Sequence, residues 1–308
     1  MQTLSDCILL FPPQWFRVME WDVNKLDWPY SNISRFSYSR PYDWHFQDSR
    51  DVNKPTLLLI HGTGSSTHSW RLLIPKLIGS FRIVAIDLPG HGFTKTKNHN
   101  RSSLEMMAQD LAALLRKEKI NPVVIVGHSA GAALGFRLAL NKKKSDTSVI
   151  AINGVLNNYF EGLSGFLYPI AAKALATNPL SAPFMAKINR ATNQTKKLND
   201  ITGSKIDEKS LSFYHRLFSN VEHLSGTLAM MSQWKLDLLN RDLTNFRQAS
   251  LFLIGGNDKM VSPKALKDYA SLVRNSLVRI EVKLGHLMHE ESPSIVSKHI
   301  LEFYKSLQ

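Results

Sequence analysis

Short apolar runs alternate along this chain with longer segments in which apolar residues recur every three or four positions, and that alternation predicts most of its elements. Residues 56–60, 82–86, 123–126, 148–152, 250–254 and 278–282 read as strands buried on both faces. Ahead of them, 34–38 and 42–46 read as an antiparallel pair. Between strands, residues 67–78 place Trp70, Leu73, Ile74 and Leu77 at helical spacing. Residues 102–119 do the same with Leu104, Met107, Ala108, Leu111, Leu114 and Leu115, and Ser102-Ser103 can cap the start. Another helix is expected at 263–273 and a last one after Pro293. Strands alternating with helices predict an α/β fold whose mostly parallel central sheet is flanked by helices.

The pattern changes between residues 154 and 246. This stretch carries helical segments rich in Phe, Tyr, Leu, Met and Ala, broken at Pro169, Pro179 and Pro183, and shows no β alternation. It enters straight after the sixth strand, at the end of the sheet where ligands bind in such folds, and so reads as a helical cap. The expected organisation is an N-terminal arm at 1–34, a core in two parts at 35–153 and 247–308, and the cap at 154–246.

Composition narrows the class. With 44% hydrophobic and 20% charged residues the chain is globular rather than disordered. The single cysteine, Cys7, excludes an intramolecular disulfide framework and fits a reducing, cytoplasmic setting. No apolar run is long enough to span a bilayer. The N-terminus lacks a basic region, and its apolar stretch is broken by Pro12-Pro13, so it does not read as a signal peptide. Residues 8–21 read either as an arm packed on the core or as a surface in peripheral contact with a membrane. The net charge of +13 favours anionic partners, yet the basic residues are scattered and no nucleic-acid motif accompanies them. Lys142-Lys143-Lys144, the one tight run, follows a helix, where cations suit the dipole. Histidines are dispersed, with no metal-ligand spacing on a predicted helix, so neither metal nor cofactor is expected.

The chemistry concentrates at Gly127-His128-Ser129-Ala130-Gly131, a G-x-S-x-G between an apolar strand and an alanine-rich helix. That context makes Ser129 a candidate nucleophile on a strained turn. A serine needs a base and a group to orient that base. Asp258 follows the strand at 250–254 through Gly255-Gly256-Asn257, and His286 follows the strand at 278–282, so the chain order is Ser, Asp, His. His289 is the weaker rival for the base and reads as cap-facing or structural. Two N–H donors are needed for a developing oxyanion. Ala130 is one, and Thr63, in His61-Gly62-Thr63-Gly64 after the strand at 56–60, is the other. His61, Gly62, Gly64 and His128 are expected against substrate, as are the cap aromatics Phe160, Tyr168 and Trp234, with Phe166, Phe213 and Tyr214 as further pocket candidates. Asp87-Leu88-Pro89-Gly90-His91-Gly92 reads as a structural turn beside the site.

With these residues assembled, the chain resembles the α/β-hydrolase superfamily over residues 35–307, and within it the magnesium-chelatase accessory proteins of bacteriochlorophyll biosynthesis. The strings that carry the likeness are HGTGSSTHSW (61–70), DLPGHGFT (87–94), VGHSAGAA (126–133), ITGS (201–204), LAMMSQW (228–234) and GHLMHEESP (285–293), with DWP followed by SRF within 27–36. The resemblance implies a role near magnesium protoporphyrin, with a tetrapyrrole as the apolar small-molecule ligand, magnesium chelatase as partner, and a place at the photosynthetic membrane. The residues themselves support a serine hydrolase acting on an ester or acyl bond of a bulky apolar ligand. A porphyrin-binding or chelatase-assisting protein without turnover and a general carboxylesterase or lipase are the alternatives.

Overall fold

The computed structural model describes residues 19–96, 99–141, 146–156 and 173–308. Cys7, the lysine run at 142–144 and the pocket contacts expected at Phe160, Phe166 and Tyr168 lie outside them.

The strands are β1 (Ser34–Ser39), β2 (Tyr42–Asp48), β3 (Thr56–Ile60), β4 (Arg82–Ile86), β5 (Pro122–His128), β6 (Ser148–Ile152), β7 (Ser250–Gly255) and β8 (Ser276–Glu281). They form one sheet in the order β1-β2-β4-β3-β5-β6-β7-β8. From β4 to β8 every pairing is parallel, while β1 pairs antiparallel with β2, and β2 with β4. The helices are α1 (Leu104–Lys117), α2 (Ala130–Asn141), α3 (Ser181–Thr192), α4 (Glu208–Phe218), α5 (Val221–Gln233), α6 (Asp237–Leu243), α7 (Pro263–Ser271) and α8 (Pro293–Lys305), with shorter turns between them.

Both sheet faces are covered, which is why β3, β6 and β7 are buried at every position and read as unbroken apolar runs. Side chains on successive strand positions point to opposite faces. Leu58 and Ile60 therefore join a core with α1, α2, α6 and α7, whereas Leu57 and Leu59 join one with Trp70 and α8. Ser103 caps α1 as predicted, its Oγ accepting from Met106 N–H.

Two expectations need correction. Residues 67–78 form a 3-10 turn (Thr67–Trp70) and a separate helical turn (Ile74–Leu77) rather than one helix. Pro75 has no N–H to continue a ladder, and the Thr67 N–H is taken at 2.7 Å by Asp87 Oδ1 from the next loop. The last strand lies two residues earlier at its start than the apolar pattern suggests. Its bounds are set by pairing with β7, from Ser250↔Ser276 to Gly255↔Glu281, and Val282 lies beyond them, 75% exposed.

Among the described residues the stretch between β6 and β7 is helical, and α4 and α5 sit over loops at the carboxyl ends of the strands. Helix α5 comes backbone on backbone: a Cβ added to Gly226 would lie 2.2 Å from the Gly90 carbonyl oxygen. The arm is packed where it is described. Trp28 meets Phe93 and Phe213 edge-on at 4.8 and 5.3 Å, and Asp27 pairs with Arg216 of α4. Phe213 is thereby buried against the arm rather than lining a pocket.

Candidate active site

Ser129 joins β5 to α2 with φ of 53°, in the left-handed region that side chains disfavour. The surrounding backbone holds it there. Its N–H donates to Ile152 O at 3.0 Å, and its carbonyl accepts from Ala132 and Val155 N–H, each at 3.1 Å. The flanking glycines are required by contact: a Cβ on Gly127 would sit 2.4 Å from Ala132 backbone atoms, and one on Gly131 2.2 Å from Ile60 O. Ser129 is partly exposed, and its Oγ bonds to no described residue.

His286 and Asp258 are brought together across 28 positions of sequence. The ring Nδ1 lies 2.7 Å from Asp258 Oδ2, and Asp258 Oδ1 accepts from the N–H groups of Met260 and Val261 at 2.7 and 2.9 Å. A carboxylate that only accepts fixes the tautomer, so Nδ1 carries the proton and Nε2 presents its lone pair. Nε2 is not hydrogen-bonded to Ser129 Oγ; in such sites this bond commonly tightens when substrate binds. The cap shares in holding the loop, since His286 N–H donates to Thr202 O at 3.0 Å and Leu287 N–H to Ser204 Oγ at 2.8 Å. Thr202 and Ser204 belong to the ITGS string.

Asn153 is a functional residue that sequence reasoning missed. It follows β6 at φ of 45° and is fully buried. Its Nδ2 donates to the carbonyls of Gly285 and His286, both at 3.0 Å, and its Oδ1 accepts from Gly255 N–H at 2.7 Å. One side chain thus ties the ends of β6 and β7 to the histidine loop. Asn153→Ala leaves the Gly285 carbonyl and the Gly255 N–H without this partner, while His286 O keeps His128, and a stability loss of about 2 kcal/mol is expected. Thermal melting measures it, and an unchanged melting temperature would show that the clamp is idle.

The loop after β3 faces Ser129. A Cβ on Gly62 would lie 3.0 Å from Ser129 Cβ, so the close approach needs glycine there. Among the described residues the amide N–H groups of Thr63 and Ala130 have no acceptor, as an oxyanion cradle requires. Thr63 is exposed, and its hydroxyl reaches Met230 Sδ of the cap at 3.7 Å. Gly64 adopts φ of 75°, and its carbonyl accepts from His223 Nε2 at 3.1 Å. His61 does not face substrate. Its Nδ1 donates to Gly62 O at 2.7 Å and its Nε2 accepts from Leu88 N–H at 3.0 Å, so it braces the loop from beneath. Burial lowers its pKa and keeps it neutral.

His128 also turns away from the position expected for it. It is buried, with its ring 4.8 Å from His286 and 4.4 Å from His289, and its Nε2 donates to His286 O at 2.9 Å. Burial, reinforced by the two neighbouring rings, holds its pKa well below the ordinary value. His289 is structural: it is fully buried beside Trp70, and burial pushes its pKa down to about 3. Trp234 packs half-buried against the larger core. The Asp87 turn is structural as read. Burial alone would raise Asp87, but the His45 ring at 2.6 Å, the nearby His61 and the Phe93 N–H bring it down to about 2.

Glu290, four residues past His286, is a second residue the sequence did not disclose. It is 3% exposed and accepts from Tyr214 O–H of α4 at 2.7 Å, and the same hydroxyl lies 3.2 Å from Ser65 Oγ in the loop after β3. Burial pushes its pKa up to about 7, against the lowering effects of the Tyr214 and Ser210 hydroxyls and Arg71. The folded state therefore holds a proton that the unfolded chain releases near 4.5. The resulting stabilisation is full below that value and is lost as pH rises through about 7, a swing of about 3 kcal/mol. Buried histidines act in the opposite sense, so the comparison is Glu290→Gln against the parent chain. The variant is expected to gain stability relative to the parent between about pH 5 and pH 8. Parallel stability curves would refute the assignment.

Taken together, the site offers a partly exposed hydroxyl on a strained turn, an imidazole oriented by a carboxylate and two free N–H donors. The sequence profile described as the alpha/beta hydrolase fold matches residues 55–293. The chain is 34% identical over 277 residues to a protein of Rhodobacter capsulatus named magnesium-chelatase 30 kDa subunit, covering 90% of this chain and 96% of that one. It is 25% identical over 281 residues to a Bacillus subtilis protein named uncharacterized hydrolase YugF, covering 89% of this chain and 98% of that one. Among solved structures, a haloalkane dehalogenase loop variant from Bradyrhizobium elkanii superposes with a TM-score of 0.72 at 17% identity, covering 88% of this chain and 97% of that one, which shows shared fold alone. On its sheet order, its serine elbow and these likenesses, the chain belongs to the α/β-hydrolase fold family.

Proposed function

We propose that the chain is a serine hydrolase that cleaves an ester or other acyl bond of a bulky apolar ligand. The observation that carries this reading is the pairing of an elbow serine at φ of 53° with the Asp258–His286 hydrogen bond at 2.7 Å. Ser129 Oγ attacks the acyl carbon while His286 Nε2 takes its proton. Asp258 holds the resulting imidazolium, and the Thr63 and Ala130 N–H groups bind the oxyanion. His286 then gives the proton to the leaving alcohol, and water hydrolyses the acyl-enzyme by the same steps. The identity of the nucleophile argues for acyl chemistry over other reactions on this fold. A serine attacking an alkyl halide or an epoxide carbon would be left as an ether, which water does not cleave; attack on an acyl carbon leaves a hydrolysable ester.

The bacterial relative named as a magnesium-chelatase subunit supports a tetrapyrrole ester as ligand and a role in bacteriochlorophyll synthesis beside that chelatase. Because that relative is named a subunit and not a hydrolase, a second reading is an assembly role without turnover. A fluorophosphonate probe separates the two. Covalent labelling at Ser129 is expected, and a parent chain that stays unlabelled at saturating probe would overturn the hydrolase reading.

A further inference from the structure

Helix α3 is amphipathic in an inverted sense. The face it buries against Leu224 and Leu228 of α5 is built from Ala182 and Ala186. Its larger apolar side chains point away: Leu180, just before the helix, and Phe184 and Ile188 within it are spaced by four residues, and all three are exposed, Phe184 at 63%. Met185 and Leu175 extend the same exposed apolar character. A solvated helix normally buries such residues and shows polar ones, so an outward apolar stripe marks a surface made to meet something.

Charge identifies the partner. Between residues 173 and 205 stand Lys173, Lys187, Arg190, Lys196, Lys197 and Lys205, against Asp200 as the one acidic residue. The whole chain carries +13, so its long-range field favours an anionic surface. We propose that the cap docks through α3 on an anionic lipid bilayer, with Leu180, Phe184 and Ile188 inserted at the headgroup level and the flanking lysines on the phosphates. Apolar wedge and lysine rim together are what an interfacial helix needs. The contact is superficial. At 12 residues α3 is about 18 Å long, well short of the roughly 30 Å hydrocarbon core. Docking this way places the cap, and the site beneath it, next to the phase in which a bulky apolar ligand dissolves. The proposal does not depend on turnover at Ser129, and the test keeps the two apart.

The full chain is mixed with vesicles of phosphatidylcholine alone or with about one-third phosphatidylglycerol, and the bound fraction is read by co-sedimentation. Binding is expected on the anionic vesicles only, to weaken at high salt, and to persist unchanged in Ser129→Ala. A Phe184→Ser, Ile188→Ser double variant should lose about tenfold or more in affinity while keeping its melting temperature, because both side chains are exposed. A Lys196→Glu, Lys197→Glu variant tests the rim and should also bind more weakly. Three results would overturn the proposal: no binding of the parent chain, full binding of the double variant, or a parent dimer in solution that the double variant dissolves, which would make the stripe a self-interface.

Discussion

Ser129→Ala is expected to abolish fluorophosphonate labelling and to lower hydrolysis of an acyl ester by about a million-fold, the scale set by removal of a serine nucleophile in comparable sites. The loss should fall on turnover rather than on ligand affinity. Thr63, Ala130 and the cap are untouched, and the remaining N–H pair still stabilises an oxyanion formed by water, leaving about a thousand-fold over the uncatalysed rate. The fold should be indifferent. Alanine at φ of 53° carries much the same strain as serine, and Oγ has no partner among the described residues to lose, so stability should stay within about 0.5 kcal/mol. That makes the variant a clean probe in a pigment-forming cell deprived of the parent protein. Reduced pigment, with a magnesium porphyrin or its precursor accumulating, is the expected outcome. Normal pigment from Ser129→Ala, where deletion of the protein lowers it, would establish the non-catalytic role.

The largest stability effect is expected from Gly131→Ala. The added Cβ would stand 2.2 Å from Ile60 O and 2.6 Å from His61 O, both backbone atoms of β3 and its loop. Neither can move alone, because β3 is hydrogen-bonded on both sides by β4 and β5. Relief must come from lifting the start of α2 off the sheet, at a cost of about 3 kcal/mol or more. At roughly 2 °C per kcal/mol for a chain of this size, melting should fall by about 6 °C. Gly79→Ala is the control, since nothing lies within 4 Å of its Cβ position and its φ is not positive. It should leave stability unchanged or raise it by about 0.5 kcal/mol. If Gly131→Ala melts with the control, the close approach of elbow and β3 is not what requires the glycine.

The sheet was legible because its central strands are buried on both faces, and a run such as Thr56-Leu57-Leu58-Leu59-Ile60 can be little else. β8 was placed less well because an edge strand is half solvated and takes its limits from its neighbour. Ser129, Asp258 and His286 could be read from order and from the strands before each of them. What the sequence concealed is the direction in which neighbouring side chains turn. His128 adjoins Ser129, but it ends β5 on the face of Val124 and Val126, and that places its ring under the base loop. His61 sits in the glycine loop, yet both its nitrogens are committed to the backbone. Asn153 and Glu290 looked like ordinary loop residues, since their partners at Gly285 and Tyr214 are 132 and 76 positions away. Such supports have no local signature.

The chain order of the site has a consequence for the protein as it is made. The elbow lies on β5, ahead of the cap, while Asp258 and His286 follow the cap on the last two strands. Domains form as the ribosome releases them, amino end first. Strands β1 to β6 and the elbow can therefore assemble while His286 is still unsynthesised, and on the proposed mechanism the hydroxyl has no base until β7 and β8 close the edge of the sheet. By then the whole cap segment has been synthesised. On the proposed mechanism, a chain broken off within the cap would carry the elbow serine without the Asp258–His286 pair that serves it.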